Sequence, residues 1–406
     1  MSGSNTVRDG GTHGSGEELP GVGNSVLGAE AVPGSQGRHR ERPGGPGEPG
    51  AAVRPEQGHR GGLRRRGGGR RGGRGEELMV PEAEFTSYYG RPVVKPAPWG
   101  EDIPAYLFLG GLAAGSSLLA AGADLTGRPA LRRAGRLGAL GAITLSLAAL
   151  VHDLGKPSRF LNMLRVLKPT SPMSVGTWIL SAYGPGVGLA GAAEIAHALP
   201  RGLGRVGRLL DVAARPAGLG SALVAPAVAS YTAVLLTDTA TPAWHTAHRE
   251  LPFVFAGSAA VASGGLGMLS APVAQAGPAR RLAVGGALVE LAVEHLMEHS
   301  MGIAAETLHE GKAGRLMRAS KALTAAGAVG AALLGGRSRT AAAASGLALL
   351  AGSACTRFGV FEAGLESAKD PRYTVVPQRE RLDRRVAEQG DAASSETSAS
   401  ALEGGS

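Results

Sequence analysis

Eight apolar stretches between Ile103 and Val360 restrict what this chain can fold into more than any other feature. They run roughly Ile103–Asp124, Ala134–Val151, Ser174–Leu199, Ala217–Thr237, Leu251–Leu269, Leu282–Ile303, Ala319–Gly335 and Thr340–Val360. A helix needs about 20 predominantly apolar residues to cross a bilayer, and these stretches approach or exceed that length. The seventh is short and weakly apolar, so the count of eight carries a margin of one. Several are rich in glycine and alanine, as in GGLAAGSSLLAAGA. Small side chains fill a water-driven core poorly, but they let helices in lipid approach closely. The expected fold is all-α: a polytopic integral membrane helix bundle of about eight transmembrane helices, with disordered N- and C-terminal tails.

Whole-chain averages hide this, because two kinds of sequence are joined. At 43% hydrophobic and 18% charged the 406 residues would pass for a soluble protein. Residues 1–78, however, carry few bulky apolar side chains and include the tract GGLRRRGGGRRGGRG. Such a segment cannot bury enough apolar surface to offset its chain entropy. The expected organisation is a disordered Gly/Arg-rich extension over 1–78, a lead-in segment over 79–102, a transmembrane bundle over 103–360, a docking segment over 361–385 and a disordered tail over 386–406. The Arg-rich tract has no interleaved aromatic residue for base stacking. It is read as low-complexity sequence rather than a nucleic-acid-binding tail, with Met79 a candidate initiator. No apolar signal-peptide core precedes Ile103.

There is one cysteine, Cys355. That excludes an internal disulfide and a cysteine-held iron–sulfur cluster, which needs several thiolates.

With eight spans, both termini share a side with the loops after spans two, four and six. The opposite loops are short and almost purely basic: Arg128, Arg132, Arg133 and Arg136, then Arg201, Arg205, Arg208 and Arg215, then Arg280 and Arg281, then Arg337 and Arg339. By the positive-inside rule these loops face the cytoplasm. The termini are then exoplasmic, in a bacterial plasma membrane.

The loop after span two is unusual. His152 to Trp178, HDLGKPSRFLNMLRVLKPTSPMSVGTW, is a charged and proline-stiffened insert where a simple turn would need only a few residues. Lys156, Arg159, Arg165 and Lys168, with Arg249 on the next loop of that side, form a candidate partner-docking surface. The plainer reading is a basic loop facing lipid headgroups.

That insert, together with TSYYGRPVVKPAPWGEDIPAYLFLGGLAAGSSLL, YTAVLLTDTATPAWHTAHRELPFVF and FEAGLESAKDPRYTVVPQRERL, resembles the NrfD/PsrC family over about residues 79–385. These are polysulfide-reductase-type membrane subunits of molybdoenzyme complexes. The resemblance implies an anchor that binds a quinone or menaquinol as substrate and holds no haem or metal of its own. It also implies two partners, a four-cluster iron–sulfur subunit and a molybdopterin catalytic subunit, besides membrane lipid and without nucleic acid. The anchor is non-catalytic alone.

A quinone site needs polar groups for two carbonyl oxygens and a proton route. Asp102 and Tyr106 are four apart on the first span and share a helical face. The family pattern carries Asn and His where this chain has Asp102 and Tyr106. Asp102 also serves as a favourable charge at a helix start. Tyr231, about two turns before the end of span four, is the third candidate, and His152 the fourth. Asp153, beside it, opens a candidate proton path, or instead pairs with Lys156 or Arg159 to shape the loop. Glu290, Glu294 and Glu298 recur every four residues in span six and line one stripe. Carboxylates inside a membrane usually face a bundle interior or a water-filled path. Three cannot all stay ionised in apolar surroundings, so they are read as a proton seam, against a structural polar seam satisfied by Ser, Thr and Arg of neighbouring spans. Two other classes stay open. A haem b anchor needs imidazoles facing across the bundle, for which only His295 and His299 lie clearly within a span. A transporter without redox role needs a broken helix, for which Gly184–Pro185 or Gly264–Gly265 would serve.

Overall fold

The computed structural model describes residues 92–199 and 204–403. The expectations for residues 1–78, most of the 79–102 lead-in and Arg201 lie outside the described residues. In hydrocarbon a backbone N–H or C=O has no water to bond, so each spanning segment must satisfy its own peptide groups as a helix. All eight apolar stretches are helical: α1 Asp102–Leu125, α2 Pro129–Asp153, α3 Pro172–Ala198, α4 Gly204–Thr237, α5 Leu251–Ser270, α6 Gly277–Ser300, α7 Gly311–Leu333 and α8 Arg339–Lys369. A ninth, α9, covers Arg372–Glu403 and continues past residue 386, where a tail was expected to start.

Five of these, α1, α2, α4, α5 and α8, are long and apolar enough to cross a membrane on length and composition. The other three have local reasons to fall short. Glycine, proline and aromatic residues dilute α3. Glutamates interrupt α6, and Lys312, Arg315, Arg318 and Lys321 load the first half of α7. Prolines stand at the first or second position of α2, α3, α5 and α6, where the missing N–H costs nothing. Gly127 ends the α1 segment with φ 65°, a left-handed conformation that a side chain would oppose.

The helices pack as two four-helix groups, α1–α4 and α5–α8, joined mainly where α1 and α4 meet α5 and α1 meets α8, while α5 crosses α8 inside the second group. Small residues make that centre possible. Gly265 on α5 and Gly346 on α8 cross so closely that a Cβ on either would lie 2.7 or 2.6 Å from the other's carbonyl oxygen. The core near the insert runs from Tyr106 and Leu107 through Tyr231 to Trp244 and Phe361. A second cluster, around Leu131, Met268 and Leu349, fills the opposite end.

One aromatic stack ties the lead-in to the bundle. Trp99 stacks on Trp244 at 5.8 Å, and Trp244 meets Phe361 at 5.6 Å. The Trp244 indole donates to the Val360 carbonyl at 2.8 Å and packs against Gly364, where any Cβ would collide with its ring atoms. Replacing Gly364 by Ala should therefore cost about 1–3 kcal/mol through overpacking. A lowered thermal midpoint in detergent is the expected readout, and an unchanged midpoint would show that Trp244 swings away freely.

Candidate functional site

The start of α1 and the end of α2 meet at the face that carries the insert. There Asp102 Oδ2 and His152 Nδ1 lie 2.8 Å apart. The pair is open to water, with the side chains 40% and 81% exposed. Asp102 stands in the first turn of α1, so its charge suits the helix dipole, while the N-cap position is Glu101 and no side chain caps it. Tyr106, one turn further in, is buried, and its carbonyl accepts from the Ser146 hydroxyl at 3.0 Å.

Tyr231 lies about 9 Å along α4 from its insert-face end, and Tyr106 about 6 Å along α1. Both belong to the same buried cluster, and α1 packs on α4. The Tyr231 ring covers Gly176 of α3, where a side chain would collide with it. Its hydroxyl is buried without a hydrogen-bond partner, a costly state for an O–H group. Asp102, His152, Tyr106 and Tyr231 thus sit in the same group of helices toward the insert face, the first two in direct contact at its surface and the two tyrosines buried beneath.

Asp153 pairs with neither Lys156 nor Arg159 among the described residues. Backbone bonds shape the turn instead: Gly155 N to His152 O at 3.1 Å, Lys156 N to Leu154 O at 2.7 Å and Arg159 N to Lys156 O at 3.0 Å. Further along, Ser174 donates to the Val166 carbonyl at 2.9 Å and Trp178 to the same oxygen at 3.3 Å. Lys156, Arg159, Arg165 and Lys168 are all exposed on this held loop, as is Arg249 on the loop before α5. The same face has an open cleft of about 870 Å³ between α9 and the loops after α4 and α6, lined in part by Asp238, His245, Tyr373 and Arg381. None of the four candidate quinone residues lines it. Lys312 closes this face on the α7 side, bonding Glu362 at 2.7 Å and Glu101 at 3.2 Å. Hydrogen bonding to Glu362, then to Glu101, holds its ammonium above the usual lysine range.

Glu290 and Glu294 are fully buried and Glu298 is half-buried, on the stripe that their spacing requires. Thr356 of α8 donates to Glu290 Oε1 at 2.7 Å and meets Ser320 of α7 at 2.6 Å. Lys321 of α7 lies 3.6 Å from Glu294 and 2.6 Å from Glu298. His309 is 4.0 Å from Glu298, toward the insert face. Glu290 Oε2 and both Glu294 oxygens have no hydrogen-bond partner. The seam is therefore partly satisfied by Thr356 and Lys321 of neighbouring helices, with Ser320 bonded to Thr356 behind it, and partly open to further donors.

Two features escaped sequence reasoning. Arg357 of α8 is fully buried, with its guanidinium 3.7 Å over the Phe255 ring and one hydrogen bond to the Phe255 carbonyl at 2.6 Å. A lone cation inside an apolar span was the signal for it. The second feature is at the opposite end of α1–α4. Glu194 Oε1 accepts from Arg132 at 2.9 Å and Arg136 at 3.1 Å, and Arg133 lies 3.5 Å from Oε2. Asp124 lies 3.5 Å from Arg132, 3.7 Å from Arg136 and 3.4 Å from Arg215. Basic loops that had served only to judge orientation are knitted to buried acids. Likewise Arg339 donates to the Met268 carbonyl at 2.6 Å, capping the end of α5.

A family model described as polysulphide reductase, NrfD, matches residues 93–299. The chain belongs to the NrfD family. The matched segment starts before α1 and ends one residue short of the end of α6. It includes all four candidate quinone residues, the insert and the three glutamates, but not Lys321, Thr356 or Arg357. NrfD proteins are membrane anchors of molybdoenzyme complexes, so this is a multi-pass membrane subunit of that general kind. Comparison with curated proteins finds no match.

Thr356→Val removes the donor to Glu290 while keeping the side-chain shape. It should destabilise the bundle by about 1–3 kcal/mol, the cost of an unsatisfied buried acceptor. Thermal unfolding in detergent measures this, and an unchanged midpoint would show that the Thr356–Glu290 bond does not hold the seam together.

Proposed function

We propose that the chain is the quinone-reactive anchor of a molybdopterin and iron–sulfur oxidoreductase, passing electrons between membrane quinol and an iron–sulfur partner subunit. The observation that carries this reading is the 2.8 Å Asp102–His152 pair at the insert face, with Tyr106 a turn below. A quinol that becomes a quinone gives up two electrons and two protons. The electrons go to the partner, and the protons need a base at the membrane surface. His152 has a ring nitrogen beyond the one that faces Asp102, and an ordinary imidazole titrates near neutrality. Asp102 orients the ring and stabilises the imidazolium. The buried Tyr231 hydroxyl, which lacks a partner, is a donor suited to a quinone carbonyl oxygen. The substrate is hydrophobic and enters from lipid, which fits a site at the head of an apolar bundle.

In this reading the Glu290, Glu294 and Glu298 stripe is a proton-accessible seam, opening toward His309 and held by Lys321. The exposed Lys156, Arg159, Arg165 and Lys168 set, with Arg249, receives the iron–sulfur subunit. The bonds from Ser174 and Trp178 to Val166 support it, because a docking loop gains affinity when it is ordered beforehand. In the same reading the protein lies in a bacterial plasma membrane with this face outward, as the short basic loops of the opposite side suggest.

His152→Gln should lower quinol oxidation by the assembled complex roughly a hundredfold, the scale of one general base, with the complex still intact. Activity within a factor of two of the parent would remove His152 from the mechanism. Charge reversal at Arg159 addresses the partner separately. Arg159→Glu is expected to release the iron–sulfur subunit during affinity purification while the anchor stays folded, and full co-purification would sink the docking assignment.

A further inference from the structure

The tip of the insert is fastened to the outside of α3. The Ser174 hydroxyl donates to the Val166 carbonyl at 2.9 Å and accepts from the Lys168 N–H at 2.9 Å. The Trp178 indole N–H reaches the same Val166 oxygen at 3.3 Å. Leu167 is therefore bracketed between two clasped residues. Ser174 and Trp178 are four apart and share one side of α3, and that side continues through Ala182 and Pro185. Trp178, Ala182 and Pro185 are exposed, whereas Gly176, Tyr183 and Val187 on the other side are buried in the bundle. In a multi-pass membrane protein, an exposed stripe running down a spanning helix is its lipid-facing side. The insert tip thus sits at the head of a lipid-facing stripe.

Its depth follows from helix length. Helix α3 has 27 residues, about 40 Å of helix, against a hydrocarbon core about 30 Å thick. A centred helix of that length overhangs by roughly 5 Å at each end. Ser174 lies about 3 Å and Trp178 about 9 Å from the insert-face start of α3, so the clasp straddles the boundary between headgroups and acyl chains. Tryptophan is enriched at that level. The side chains held there are apolar and open: Val166 is 60% and Leu167 62% exposed. The backbone suits the position too. The Arg165 N–H bonds the Asn162 carbonyl at 3.2 Å, and the Lys168 carbonyl accepts from the Ser171 N–H at 3.0 Å, beside the two groups taken by the clasp. Irregular backbone approaches hydrocarbon only when its polar groups are engaged in this way. Arg165 and Lys168, on either side, have stems long enough to carry their charges back up to headgroups and water. We infer that Val166 and Leu167 form an interfacial anchor, inserted beside Trp178 into the headgroup–acyl boundary of the bilayer. The anchor lies beneath the proposed docking surface, and it rests on the membrane placement of the family and not on the quinone reading.

Cys355 is the single cysteine of the chain, so Leu167→Cys in a Cys355→Ser background gives one site for a bimane fluorophore. The full chain is reconstituted in phosphatidylcholine vesicles, with acyl-brominated phosphatidylcholine as the quencher in lipid and iodide as the quencher in water. At residue 167 the brominated lipid should cause a clear loss of emission and iodide little. At a Glu388→Cys reference on the exposed part of α9 the order should be reversed. Iodide quenching at 167 equal to that at 388, without loss to brominated lipid, overturns the proposal and leaves the tip as a surface for a soluble protein partner. Val166→Cys repeats the measurement at a second exposed position, so a Leu167→Cys variant that folds poorly does not shield the proposal. Neither readout requires quinone or an iron–sulfur subunit, so a failure here is distinct from a failure of the proposed function.

Discussion

A peptide group in hydrocarbon has only other peptide groups to bond with, and almost everything in this bundle follows from that constraint. It forces each apolar stretch into a helix whose hydrogen bonds are internal. Helices in lipid then gain little from burying apolar surface against one another, so close contact must come from shape. Glycine supplies it at the α5–α8 crossing, where Gly265 and Gly346 allow backbone to touch backbone. The same logic seats the Trp244 indole on Gly364 and so holds Trp99, and with it the lead-in, against the insert face.

Once the backbone is satisfied, polar side chains become the expensive groups, and their placement divides the bundle by function. On the insert face Asp102 and His152 share a hydrogen bond in the open, with both side chains exposed to water. At the opposite end, acids of α1 and α3 are locked by arginines of α2 and α4, an arrangement that fastens four helices by charge. Between the faces, the glutamate stripe of α6 relies on α7 and α8 for its partners. The proposed redox chemistry and the arginine–acid cluster thus occupy opposite ends of α1–α4, while the seam belongs to α5–α8.

The order of the helices and the common face of the ends of α2, α4, α6 and α8 were legible from hydropathy alone, because a length of about 20 apolar residues is a physical threshold. So was the glutamate stripe, since a spacing of four dictates one side of a helix. The Asp102–His152 contact was less so: each residue was a plausible site group, but fifty positions separate them, and only the antiparallel return of α2 beside α1 unites them. The loop-shaping role considered for Asp153 went to backbone bonds around Gly155, which pattern reading does not weigh. Asp124 and Glu194 were overlooked because each is a lone acid near a span end, unremarkable until three arginines converge on it.

By itself, then, the amino-acid sequence determined the kind of protein: helical, membrane-spanning, with small-residue helices and one charged insert of the NrfD pattern. These are local properties, set by the solvent preference of each segment and the periodicity of its side chains. Tertiary structure alone decided which charges neutralise one another and which stay free. Ion pairing depends on distances of a few ångströms between helices that are separate in the chain, and those distances exist only once the helices have packed.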